Sequence, residues 1–153
     1  LRSLTETSVI ERHENQNRYD ETGPAITLIH DRGVFGLLKI ELPGATIRVR
    51  LHQRHLKILV FLNGALVEDE NLDEEFRGLR RNAEIAESYA KSDRFAYIPG
   101  PKAIGAYRSQ IHRLIRDATP EGFTPLRLMQ SVRGAGVRLI HKIDVIDLSA
   151  RNT

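Results

Sequence analysis

The spacing of apolar and polar positions changes twice along the chain, and each regime predicts a different kind of element. Residues 25–30, 34–42 and 46–51 are short apolar runs separated by Asp31-Arg32-Gly33 and Pro43-Gly44. In the last of them Ile47, Val49 and Leu51 alternate with Arg48 and Arg50. A period of two, bounded by turn residues, predicts a small antiparallel sheet with one solvated face. The period then lengthens. Residues 55–62 predict an apolar helix closed by Asn63-Gly64, where glycine can take the left-handed cap conformation. Asn71 and Glu74 are spaced as a capping box, and behind them Leu72, Phe76, Leu79, Ala83, Ala86 and Ala90 recur every three or four residues. This predicts an amphipathic helix of about five turns. Residues 92–100 interrupt it, and Ile98-Pro99-Gly100-Pro101 is a stop followed by a restart.

A third helix is predicted over residues 102–118. Ile104, Tyr107, Ile111, Leu114, Ile115 and Ala118 form its apolar stripe, with Ser109, Gln110, His112, Arg113 and Arg116 on the opposite, wet side. Thr119-Pro120-Glu121-Gly122 ends it. Residues 123–132 and 137–140 then predict a hairpin around Arg133-Gly134-Ala135-Gly136, and residues 143–148 a trailing strand. The polar residues 1–24 read as a linker or tail, 25–148 as one domain and 149–153 as a second tail.

Composition narrows the chemistry. A chain of 153 residues with 41% hydrophobic content can bury a real core. The absence of cysteine excludes disulfides, thiolate zinc sites and thiol nucleophiles. No apolar run approaches the ~18 residues of a membrane span, and residue 1 opens no signal peptide, so a cytoplasmic protein is expected. Because Leu1 rather than Met begins the chain, a piece of something longer is expected.

The net charge of +3 is unevenly spread. Residues 101–142 carry eight Lys/Arg against two acids, Asp117 and Glu121, an excess of six. Residues 65–94 carry nine acids against five bases, a deficit of four. An acidic middle followed by a basic final third points to one face built for a polyanion.

Sheet, three helices and a basic, glycine-tipped ribbon is the α+β order of a winged helix-turn-helix. There a helix fits the major groove, while glycines let the ribbon backbone approach the sugar-phosphate chain. The segment Ser131-Val132-Arg133-Gly134-Ala135-Gly136-Val137-Arg138-Leu139 resembles the wing of the OmpR/PhoB-type winged-helix domain, which typically reads T-V-R-G-x-G-Y-R-[LF]. That domain is the DNA-binding output half of many bacterial response regulators in two-component systems. Its recognition helix, V-D-V-H-I-x-R-L-R-x-x-L, aligns without gaps over residues 104–115. Similarity at the level of strands and helices covers roughly residues 25–141, and the wing carries its specific part.

The resemblance implies an N-terminal antiparallel sheet, three helices, a C-terminal hairpin wing and double-stranded DNA binding in transcription regulation. It implies base-edge contacts from Gln110 and His112 with Ser109 and Arg113 nearby, sugar-phosphate contacts from Lys102 and Ser131, and a groove contact from Arg133. Arg116 and Arg138 complete the expected DNA-contacting set. It further implies self-association on repeated half-sites and contact with RNA polymerase through residues 72–100. Four features depart from the family. Gln110 and His112 stand where two arginines are usual, Val137 replaces the wing tyrosine, Arg108 replaces an apolar residue, and residues 72–100 form a longer segment.

Other chemistries find less support. No lysine-serine pair follows the glycines of residues 134–136, and the third glycine of a dinucleotide fingerprint is missing. His52 and His55 lack further ligands and read as surface or helix-cap histidines rather than a metal pair. The acids at 68–70 and 73–75 fit no calcium loop and suit a helix start. No catalytic constellation, metal or cofactor is expected, so the chain is not read as an enzyme. The rival readings are a winged-helix protein-interaction module that does not bind DNA, and an enzyme or small-ligand sensor with an unrecognised site.

Overall fold

A computed structural model describes residues 23–91 and 98–149. Most of the expected leading tail, the last residues of the trailing one and part of the 72–100 segment therefore lie outside the described residues. The fold is α+β: a four-stranded sheet, three helices and a two-stranded hairpin.

Strands β1 (Ala25–His30), β2 (Phe35–Leu42) and β3 (Ala45–His52) pair in antiparallel order, as their alternation predicts. The trailing strand, β6 (Asp144–Asp147), joins the same sheet beside β1, but parallel to it, giving the order β3-β2-β1-β6. The sheet is thus mixed rather than purely antiparallel and N-terminal, because a parallel neighbour needs a long crossover and here the helices and hairpin supply it. Ile26, Leu28, Leu38, Ile40, Ile47, Val49 and Leu51 fill its buried face.

Helix α1 (Gln53–Glu68) runs past Asn63-Gly64, where an end was expected. The Asn63 side chain accepts a hydrogen bond from the Ile143 backbone N–H at 2.9 Å, tying the chain before β6 to the helix. Leu62 and Ala65 continue the buried stripe across the glycine. Burial of that face outweighs the roughly 1 kcal/mol helix penalty of one glycine. His52 caps the N-terminus, its Nδ1 accepting from the Arg54 N–H at 3.1 Å, so the helix-cap reading holds for this residue.

The expected five-turn helix behind Asn71 does not form. Residues 74–76 make one 3-10 turn, and a regular helix, α2 (Asn82–Ala90), begins only later. Local polar bonds compete with the helix here. The Asp69 carboxylate accepts from the Gly78 N–H at 2.9 Å and from Arg80 at 2.8 Å, closing the chain into a loop. Gly78 sits at φ +74, and a Cβ there would meet Leu66 at 2.7 Å, so only glycine fits this turn. Arg80 then pairs with Val137 as a short bridge that adds a third line of backbone to the hairpin.

Helix α3 (Pro101–Ala118) follows Gly100, with proline at its first position where its missing N–H costs nothing. Ile104, Ile111 and Ile115 are fully buried, whereas Tyr107 is half-buried and Leu114 and Ala118 are exposed. The buried stripe is therefore narrower than its apolar residues suggested. The hairpin consists of β4 (Met129–Val132) and β5 (Gly136–Leu139), joined by the expected glycine turn. Residues 123–128 are irregular, so the first arm is shorter than the apolar run implied. Met129, Val137 and Leu139 seat the hairpin on the core.

Candidate nucleic-acid interface

Helical spacing places Ser109, Arg113 and Arg116 one above the other, and all three are exposed. They form one wall of a groove of about 500 Å³, with His112 at its base and Pro125, Leu126 and Arg127 opposite. A second groove of about 340 Å³ runs between α3, the start of α2 and the hairpin turn. Arg81, Asn82, Arg108, Ser131 and residues 134–136 line it. The Arg108 guanidinium joins helix to hairpin, its Nη1 donating to Ser131 Oγ at 2.9 Å.

Among the described residues, five arginines (Arg81, Arg108, Arg113, Arg116 and Arg127) line the two grooves, and no acidic residue does. Among the described residues these arginines form one ion pair, Arg116 with Asp117 at 3.6 Å, whose side chains are both more than half exposed and which is screened by water. The surface is therefore cationic, concave and open, suited to an extended anion rather than to an enclosed small molecule.

Several expected contacts take other roles. Gln110 belongs to the inner side of α3, where its Oε1 accepts a hydrogen bond from His55 Nε2 at 2.8 Å. His55 is buried, not at the surface, and packs edge-on against Tyr107 at 5.8 Å between ring centres. His112 is also half-buried, its Nε2 accepting from the Met129 backbone N–H at 3.2 Å. Both residues brace the fold with the atoms that would read a base, so the wet-side placement expected for them is corrected. One helical step of about 100° separates neighbours, and that step carries each of them off the solvent stripe. Arg138 is likewise committed: its Nε donates to Gln130 and its Nη1 to the carbonyls of Glu74 and Glu75. It holds the acidic turn against β5. Ser131 is exposed but already accepts from Arg108.

Lys102 is exposed in the first turn of α3, and Arg133 is exposed at the hairpin turn, without an ion pair among the described residues. Burial lowers the pKa of His55, and for His112 burial and then the nearby Arg127 and Arg108 lower it, so both rings favour the neutral form. Arg81, Asn82 and Arg127 were not singled out by sequence reasoning. Nothing in a linear pattern joins Arg81, ahead of α2, to a hairpin more than fifty residues away. Arg108 did carry a signal, because it lies four residues from Ile104 and three from Ile111, on the apolar stripe.

Among the described residues no group of three or more histidines, aspartates or glutamates could hold a metal ion, and no helix is long and apolar enough to cross a membrane. Compared with family models, curated proteins and solved structures, the chain finds no match in any of the three.

Proposed function

We propose that this chain is a winged helix-turn-helix domain of the OmpR/PhoB type that binds double-stranded DNA in transcription regulation. Helix α3 enters the major groove, and the hairpin rests on the flanking groove as the wing. The carrying observation is the open cationic surface that Ser109, Arg113 and Arg116 form against residues 125–127, the segment that leads into the hairpin. Ser109 and Arg113 become the base-edge readers, and Lys102, Arg116 and Arg133 the phosphate or groove contacts. Gln110, His112 and Arg138 act from behind, as braces. Affinity on this reading comes mainly from phosphates, and specificity from few base contacts, with self-association on repeated half-sites in a cytoplasmic regulator.

Fluorescence anisotropy with labelled duplexes, repeated from 50 to 200 mM salt, tests the reading. With about six phosphate contacts, log affinity falls against log salt with a slope near −5. Absence of duplex binding at 50 mM salt sinks it.

A second reading is favoured by one specific surface. Phe76 and Leu72 are 57% and 47% exposed beside Glu70, Asp73, Glu74 and Glu75, none of which forms an ion pair among the described residues. Arg77 and Arg138 hold that turn by donating to backbone carbonyls, not to its carboxylates. An ordered acidic and apolar turn suits a basic protein partner. RNA polymerase, expected to touch residues 72–100, would meet it there, or the domain would dock a protein in place of DNA.

A further inference from the structure

The groove between α3 and the hairpin holds a side chain that duplex reading alone does not explain. Arg108 stands on the apolar stripe of α3 and is half-buried. Its Nη1 donates to Ser131, its Nε is buried without an acceptor, and it forms no ion pair among the described residues. A partly desolvated cation with no counter-charge is costly to keep. Burial accordingly works against its charged form and lowers its pKa from the ordinary arginine value.

The surroundings show what would compensate it. Arg81 enters the same groove from the start of α2, Asn82 adds an amide, and residues 134–136 form a wall with little side chain in the way. Among the described residues no carboxylate lines the space, and its volume of about 340 Å³ is ample for a tetrahedral anion. The Glu84 carboxylate nearby is turned to the Arg81 backbone N–H at 2.9 Å. Two arginines lining one groove suit a phosphate, whose oxygens accept paired donors from a guanidinium plane.

We propose that this groove is a phosphate site, with Arg108 and Arg81 gripping one phosphate and Asn82 and the hairpin turn bordering it. The inference deepens the duplex reading and rests on it for the phosphate's source, which is the DNA backbone; inorganic phosphate offers the same chemistry. Arg108 thereby links the hairpin to the anion, since the guanidinium that braces Ser131 also faces the ligand.

The test uses two probes on the full chain. Inorganic phosphate is titrated against ¹⁵N-labelled protein, following the amides of Asn82, Gly134, Ala135 and Gly136. These amides are expected to shift together, and Arg108→Leu to weaken the effect about tenfold, as losing one charge-assisted contact implies. Arg48→Ala, on the solvated face of β3, serves as the control. In the second arm Arg108→Leu is expected to lower the salt slope of duplex binding by about one and to weaken all duplexes alike. Arg108→Lys should keep most of that slope. Should Arg108→Leu fail to fold, Arg108→Lys and Ser131→Ala carry the test, because the first keeps the charge without the planar fork and the second keeps the fork without its brace. Both should still shift with phosphate, Arg108→Lys more weakly.

The outcomes separate the two ideas. Groove amides that respond to phosphate in a protein that ignores duplex support the site and overturn its DNA source. Duplex binding whose salt slope Arg108→Leu leaves unchanged, with groove amides that phosphate does not move in the parent protein or moves equally in Arg108→Leu, overturns the site and leaves the duplex reading standing.

Discussion

His55 and Gln110 meet at 2.8 Å between α1 and α3, the imidazole Nε2–H donating to the amide oxygen. A residue aligned with a base reader in the family pattern is here a strut beneath the helix. Gln110→Ala would strand a buried donor, so urea denaturation should show a loss of about 1–3 kcal/mol. Replacing both partners by leucine should recover much of that loss, because no unpaired polar group is then left behind. A Gln110→Ala protein of unchanged stability that loses preference for adenine-containing sites would restore the base-reading role.

Stability should fall with mild acid. The folded pKa values of His55 and His112 lie below the ordinary 6.5, chiefly through burial. Between the folded value and 6.5 the unfolded chain binds more protons than the native one. The contribution is therefore complete above 6.5 and is lost as pH drops through that value toward the folded one. Thermal melts should show a lower Tm at pH 5.5 than at pH 7.5. His112→Ala, which also removes the acceptor of the Met129 N–H, should be less stable at pH 7.5 yet have a shallower profile. Equal melting temperatures at the two pH values would contradict this.

Arg133 and Arg113 should separate affinity from specificity. Arg133→Ala is expected to weaken every duplex similarly and reduce the magnitude of the salt slope by about one. Arg113→Ala should narrow the gap between preferred and other sites by roughly 1–3 kcal/mol. Anisotropy against a small panel of duplexes at two salt concentrations measures both, and identical behaviour of the two variants would count against the assigned docking.

The hairpin depends on Gly136. Its φ is +125, and a Cβ there would lie 2.3 Å from the Arg80 carbonyl oxygen, inside the bridge between Arg80 and Val137. Gly136→Ala should cost well over 1 kcal/mol, because neither the backbone nor its neighbour can yield. Chemical denaturation checks the cost, and a variant as stable as the parent would mean the bridge does not form.

Arg138→Ala should loosen the acidic turn without touching the exposed stripe of α3. It removes donors to Gln130 and to the carbonyls of Glu74 and Glu75. Hydrogen exchange should rise across residues 72–77, and stability should fall by about 1–2 kcal/mol. If duplex affinity instead drops at unchanged exchange, Arg138 belongs to the contact surface.

What the amino-acid order determined by itself is whatever depends on close neighbours. Strands β1–β3 were readable because alternation and turn residues act over a few positions, and α3 because a proline start and an apolar stripe do the same. The glycine turn of the hairpin belongs to the same class. Other features were decided by partners far along the chain. Gly64 stays helical because the buried face of α1 continues past it, and residues 71–80 leave the helix because Asp69, Leu66 and Val137 hold them. β6 finds β1 across more than a hundred residues. Gln110 and His112 were placed outward by periodicity, yet His55 and Met129 supply the bonds that turn them in. A helical wheel ranks faces by hydropathy, but a polar atom goes where a buried partner waits for it, and only the folded chain brings that partner near.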